Sequence, residues 1–354
     1  MKAKWCCIAL VASAAGLLYG CLSAPTVTDQ DRIPRGTMPA DGSPEVLLAG
    51  RYQDGSSWTA CCWTGAGRTN LTADGIYDTM ADSIFVSKDT IYTAGGGNDG
   101  QKAVACYWTE RIPTKLSGDG HDTWAYGVAA IDGTAYTVGG FSNERGVWLP
   151  SYWRNSLFTV LENVGTDARS ITISDRMRYV SGWYWSGTGT IACYWKANGR
   201  TPLPPAGTRE SRADAIFVSG GIVYTGGYYS DSRRNVPCYW KGTTRTDLPG
   251  GDANGQVTGI TVVDGTAYCS GFYSYDGKWH ACFWQDAVRH ELSDGGGESQ
   301  AFGIAVHDAN VYTVGYFTEG SDPHACYWIG ESRTDLREFP SSAHAIFLRE
   351  APRD

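Results

Sequence analysis

Between residues 81 and 117 the apolar positions come in short runs, each closed by a polar turn. Ala81 to Val86 is aliphatic and broken by Lys88-Asp89. Thr90 to Gly96 carries Ile91-Tyr92-Thr93 and stops at Asn98-Asp99-Gly100. Ala103 to Thr109 and Thr114 to Ser117 follow. Runs of this length, rich in Tyr, Trp, Val and Thr and bounded by Gly and Asp, predict strands. Four of them in about 44 residues predict one antiparallel propeller blade. Elsewhere Asp132-Gly133 and Asp264-Gly265 separate two apolar runs. Asp-Gly is a two-residue hairpin signal because both turn positions need positive φ.

The pattern repeats along the chain. Ala105-Cys106-Tyr107-Trp108 returns at Ala192, Cys238, Ala281 and Ala325, with degraded copies at Ala60-Cys61-Cys62-Trp63 and Ser151-Tyr152-Trp153. The seven Trp anchors are spaced by 45, 45, 42, 45, 44 and 44 residues. A period near 40–45 points to a propeller or a helical array, and the strand pattern selects the propeller. A Leu stands eight residues after every Trp, and a Gly closes every second strand: Gly50, Gly95, Gly139, Gly182, Gly227, Gly271 and Gly315. Each first strand has a small residue before an aliphatic one, as in Ser83-Ile84 and Gly127-Val128. The first unit, from Val46, lacks a first strand, and the last segment, Ala343 to Leu348, is a first strand with nothing after it. The prediction is all-β: a seven-bladed propeller of four-stranded antiparallel blades over residues 44–350, closed by one blade shared between the two ends. Such closure removes open sheet edges.

Residues 1–20 hold Lys2 and Lys4 ahead of an apolar run from Cys6 to Tyr19, the pattern of a secretory signal peptide. Leu18-Tyr19-Gly20-Cys21 resembles the bacterial lipobox, which implies cleavage before Cys21 and its acylation. Several acyl chains on one residue anchor a protein stably. Residues 21–43, rich in Pro, Thr, Asp and Gly, read as a flexible tether, and residues 351–354 as a tail. From residue 21 onward 27 Lys and Arg face 37 Asp and Glu, a net charge of −10. That acidity argues against nucleic acid or an anionic membrane surface as the main partner. The expected location is a bacterial cell envelope, lipid-anchored at an outer membrane and either periplasmic or surface-exposed.

His280-Ala281-Cys282-Phe283-Trp284 and His324-Ala325-Cys326-Tyr327-Trp328, with Arg333-Thr334-Asp335-Leu336 and Ala301-Phe302-Gly303-Ile304-Ala305-Val306, resemble the bacterial extracellular HAF-type repeats. The likeness spans residues 44–349. It implies a repeat type and names no ligand. Gly pairs such as Gly95-Gly96 and Gly226-Gly227 give a weaker likeness to kelch repeats.

Eight Cys remain after Cys6, Cys7 and Cys21. Six of them hold one equivalent position in six blades, too far apart to pair across blades, so they read as small buried hydrophobes. A bridge between Cys269 and Cys282, on partner strands of one blade, stays open. The His residues are scattered, and no serine-hydrolase elbow, zinc-protease motif or phosphate loop is present. No cofactor, no metal and no catalytic residue is assigned, and a monomer is expected. The residue two before each first-strand aliphatic varies freely: Asp82, Tyr126, Arg169, Asp214, Thr258, Phe302 and His344. A position so variable inside a fixed motif is not set by blade packing. The seven are expected to ring one channel mouth, exposed, beside loop aromatics of which Trp183, Trp185 and Tyr275 are least easily explained as core. Asp82, Tyr126, Arg169, Asp214, Phe302, His344, Trp183, Trp185 and Tyr275 are thus the ligand-binding candidates. The expected function is a binding or scaffold module for a protein, peptide or glycan. The alternative is an envelope hydrolase or lyase with its site in the central funnel.

Overall fold

A computed structural model describes residues 25–39, 41–65, 67–118, 120–204, 210–250, 254–292, 295–336 and 340–350. The signal segment, Cys21 and residues 351–354 lie outside them. Twenty-eight strands make seven four-stranded antiparallel sheets. The inner strands are Tyr77–Ser87, Thr123–Ile131, Thr166–Ser174, Ser211–Ser219, Gly255–Val263, Ser299–His307 and Ser341–Arg349. Each packs against the next and the last against the first, so the ring is closed. In the seventh blade Ser341–Arg349 pairs with Glu45–Asp54, which begins the three strands supplied by the N-terminal part. Asp132-Gly133 and Asp264-Gly265 adopt positive φ at both positions, as the hairpin reading requires. The first strand after residue 72 starts at Tyr77, earlier than its apolar run, because a register shift between Tyr77 and Met80 carries it past polar Asp78 and Thr79.

The recurring Ala-Cys-Tyr-Trp has a separate task at each position. Cys106 and Trp108 face the preceding blade beside Cys62 and Leu71, while Ala105 and Tyr107 face the following one beside Ala125 and Trp153. Six of the seven anchor Trp side chains are fully buried, and Trp63 is 7% exposed. Indole N–H groups of Trp108, Trp153 and Trp284 donate to Thr72, Ser117 and Pro249 carbonyls of the preceding blade. The Ala N–H donates to a Ser or Thr hydroxyl opening the next inner strand: Ala60 to Thr79, Ala105 to Thr123, Ala192 to Ser211, Ala281 to Ser299 and Ala325 to Ser341, at 2.8–3.0 Å. Two third strands carry Pro at the Ala position; opposite Pro150 the hydroxyl is kept, and Thr166 donates it to the Val164 carbonyl at 3.3 Å. Where the third strand carries Pro237, which has no N–H, the hydroxyl is replaced by Gly255, whose added Cβ would lie 2.9 Å from Pro237 Cδ. The eight described cysteines are buried, and Cys269 and Cys282 form no disulfide.

Five outer strands repeat an Arg five residues after the Trp. Arg68, Arg200, Arg245, Arg289 and Arg333 lie 3.5–3.9 Å over the rings of Tyr52, Tyr184, Tyr229, Tyr273 and Phe317. In three of them the acid two residues on takes the guanidinium at 2.7 Å. The planar guanidinium both stacks and donates, which pins the short outer strand to its blade.

Part of the segment read as a tether is packed. Thr28 to Gly36 crosses the face that carries the first-to-second and third-to-fourth strand turns. Ile33 is buried, and its N–H donates to Glu110 at 2.9 Å. Arg35 pairs with Glu110 at 2.7 Å, and Arg111 N–H donates to Asp31. Gly36 N–H donates to Glu45, which also takes Arg349, so the strap closes over the seam where the two ends of the chain meet. Gly36 is required here: a Cβ would lie 2.5 Å from Gly65 Cα.

Candidate functional site

Each variable residue sits in a β-bulge. In blade after blade the inner strand skips one residue in its pairing to the second strand: Ala81 and Ser83 pair with consecutive partners, as do Ala125 and Gly127, Ala168 and Ser170, Ala213 and Ala215, Val257 and Gly259, and Ala301 and Gly303. In the shared blade the skipped residue is His344. A bulge leaves its extra residue free of the ladder and re-aims its side chain. The Gly that closes every second strand follows from the same geometry. At Gly95, Gly139, Gly182, Gly227, Gly271, Gly315 and Gly50 an added Cβ would come within 1.9–2.1 Å of the carbonyl oxygen two residues before the bulge. No side chain fits there, so the bulge and its Gly are one feature.

The bulges lie on the half of the inner strands nearer the second-to-third-strand loops. Their side chains converge. Asp82, Tyr126, Arg169, Asp214, Thr258, Phe302 and His344, with Met80, Gln256 and Phe272, line one cavity of about 340 Å³. Six of the nine sequence candidates therefore meet in one place. Trp183 stands at its rim, with Arg169 and Arg212 at 5.7 and 4.6 Å from its ring. Trp185 and Tyr275 are 50% and 53% exposed and lie outside the cavity. The expectation that the ring is exposed is corrected: the Asp82, Asp214 and Arg169 side chains are 14%, 9% and 32% exposed, because seven converging chains cover one another.

A second ring, two residues earlier, supports the first and went unmarked in the sequence reading. Trp124 Nε1 donates to Asp82 Oδ2 at 2.8 Å, and Gln256 Nε2 to Asp214 Oδ2 at 3.0 Å. Trp148 Nε1 donates to Asp167 Oδ1 at 3.1 Å. The same signal could have found this ring, since the positions read Met80, Trp124, Asp167, Arg212, Gln256, Gln300 and Ser342 and are as variable as the first.

Arg169 is the electrostatic centre. Its guanidinium lies 3.8 Å over the Tyr126 ring, 3.6 Å from Asp214 and 3.7 Å from Asp167. Burial pushes the Asp82 and Asp167 carboxyls up to about 6, partly offset at Asp82 by Trp124 and Arg169 and at Asp167 by Arg169 and Trp148. Burial, with Arg51 nearby, pushes His344 down to about 3, so its imidazole is neutral. His344 stacks on Phe302 with centroids 4.9 Å apart. Its Nε2 meets Ser342 Oγ at 2.8 Å, and its Nδ1 lies 3.7 Å from Asp82 Oδ1. Among the described residues no group of three or more His, Cys, Asp or Glu side chains is arranged to hold a metal ion.

No protein-family model matches this chain, and no curated protein matches it by sequence. Solved structures do match it by shape. One is a puromycin-hydrolyzing peptidase of Mycobacterium tuberculosis, with a TM-score of 0.56 and 11% identity over 87% of this chain. The match takes in 56% of the peptidase chain, so this protein is similar to little more than half of it, and at that identity the likeness is one of propeller fold.

Proposed function

We propose that the chain is a lipid-anchored envelope protein whose propeller acts as a recognition module for a protein, peptide or glycan. The observation that carries this reading is the convergence of seven bulge residues, the variable positions of an otherwise repetitive chain, on one cavity. A bulge at every inner strand aims side chains at a common point while leaving the fold-determining positions untouched. The strap adds a direction. Thr28 to Gly36 docks on the opposite face, through Glu110 and Glu45, so a chain tethered at Cys21 would present the cavity away from its anchor.

Two experiments test it. Cys21→Ala should leave the protein unprocessed or in the soluble fraction; a variant that still partitions into detergent like wild type removes the anchor. A pull-down from envelope extract with the wild-type chain should capture a partner that the double variant Asp82→Asn, Arg169→Gln captures poorly. Normal capture by that variant removes the cavity from the reading. These milder changes replace Ala because the side chains are largely buried.

One observation favours a hydrolase in the same funnel. Ser342, His344 and Asp82 stand in the order of nucleophile, base and orienting acid. Against it, Ser342 is 6% exposed and the buried imidazole is a weak base. Labelling by a fluorophosphonate that is abolished by Ser342→Ala would establish this second reading; absence of labelling disposes of it.

A further inference from the structure

The cavity is closed on every side by the ring of inner strands. It therefore admits the end of a ligand or a compact ring and gives an extended segment no path across. Its two long walls differ. By ring order Arg169 stands across the channel from Phe302 and His344, whose rings stack on each other and, with Phe272 and Met80, make the less polar wall. The guanidinium opposite them has no hydrogen-bond acceptor among the described residues, since Asp167 and Asp214 stand at 3.6–3.7 Å. Its N–H donors are thus available to an oxygen brought by a ligand. That oxygen should be neutral. Asp82 and Asp214 of the ring and Asp167 of the second ring surround Arg169, and the Arg212 guanidinium of the second ring is itself paired with Glu210 at 3.6 Å, so a carboxylate or phosphate would meet like charge. Among the described residues Asp82 Oδ1 and Asp214 Oδ1 accept no hydrogen bond, while their second oxygens are held by Trp124 and Gln256. They can accept from hydroxyl groups.

We propose that this socket takes a neutral sugar ring, the terminal residue of an envelope glycan, packed against the Phe302–His344 wall with hydroxyls shared between Arg169, Asp82 and Asp214. This assignment rests on the recognition reading above. A sugar ring presents what the walls ask for: an apolar C–H face on one side and, around its edge, hydroxyls that donate and accept at once. At about 340 Å³ the cavity is at the small end of ligand sites and suits a single ring.

The test is saturation-transfer NMR on the full chain with four probes: methyl β-glucoside, methyl N-acetyl-β-glucosaminide, methyl β-glucuronide and a doubly capped alanine dipeptide. At least one neutral glycoside should saturate, and the glucuronide should bind about tenfold more weakly or worse, as one misplaced charged hydrogen bond costs. Arg169→Gln and Phe302→Leu should each lower neutral-glycoside affinity by about tenfold, with Trp185→Ala as an outside control. Glucuronide binding as strong as the neutral probes, or saturation of the dipeptide alone, overturns the sugar assignment. If no glycoside binds yet Arg169→Gln and Phe302→Leu still lose the partner captured from envelope extract, the sugar falls and the recognition reading stands. If they keep that partner, both fall.

Discussion

Glu110 offers the sharpest test of how the N-terminal strap is held. Its side chain is fully buried and takes three donors: Ile33 N–H at 2.9 Å, Ile91 N–H at 2.9 Å and Arg35 Nη2 at 2.7 Å. Glu110→Ala leaves both amides without their acceptor and Arg35 without its counter-charge. Breaking a buried pair by removing one partner costs roughly 3–5 kcal/mol. Two orphaned buried amides at about 1–3 kcal/mol each give the same order. The loss has a ceiling, because the strap can let go and hydrate its own groups, exposing Ile33 in the process. For a domain of this size that corresponds to a fall in melting temperature of roughly 6–10 °C. Calorimetry of the wild-type and Glu110→Ala chains would read it, and limited proteolysis would show new cleavage between Thr28 and Gly36. Glu110→Gln, which keeps one acceptor oxygen, should fall between the two. A Glu110→Ala chain melting within about 2 °C of wild type, with an unchanged proteolytic pattern, would refute the claim that this carboxylate holds the strap.

Deleting residues 343–354 strips the inner strand from the shared blade and should unfold or aggregate the chain, seen by circular dichroism and light scattering; unchanged melting removes the shared blade. The eight buried thiols should react with a disulfide reagent only after denaturation without reductant, and a count near zero in denaturant would mean that they are bridged. Burial raises the Asp82 carboxyl from 3.8 to about 6, so the folded chain holds a proton that the unfolded chain has released, and stability falls as pH rises across that window. Asp82→Asn should therefore gain up to about 3 kcal/mol at pH above 7 and little near pH 4, read from urea midpoints, whereas an equal gain at both contradicts the raised carboxyl.

The propeller was legible because its determinants are local and repeated. Seven Trp in register, each with a Leu eight residues on and a Gly closing the strand beside it, answer a packing demand that recurs once per blade. The interlocking ends were legible for the same reason, since a missing first strand at one end and a spare one at the other complete the count. The strap was not legible. Ile33 and Gly36 sit among Pro, Thr and Asp, and what fixes them is Glu110, 77 residues from Ile33, together with Glu45 and Arg349 at the seam. No periodicity marks a contact made once.

The site falls between these cases. Its positions could be found by asking where a repetitive chain stops repeating, but their physical cause could not. The sequence shows an invariant Gly and, on another strand, an unconstrained residue, and nothing joins them. The structure joins them through one carbonyl. The bulge swings the oxygen two residues upstream of Asp82 or Arg169 into the space where a Cβ on Gly95 or Gly182 would be. Thus the most fixed and the most variable positions of the repeat are two sides of one backbone distortion. It follows that Gly139→Ala should disturb the aim of Tyr126, which no contact between the two side chains would suggest. The variability of the ring is then itself an effect of the fold: a residue outside the ladder can be anything the cavity tolerates. What selects Asp, Arg, Phe and His there is the charge balance around Arg169 and whatever the socket receives.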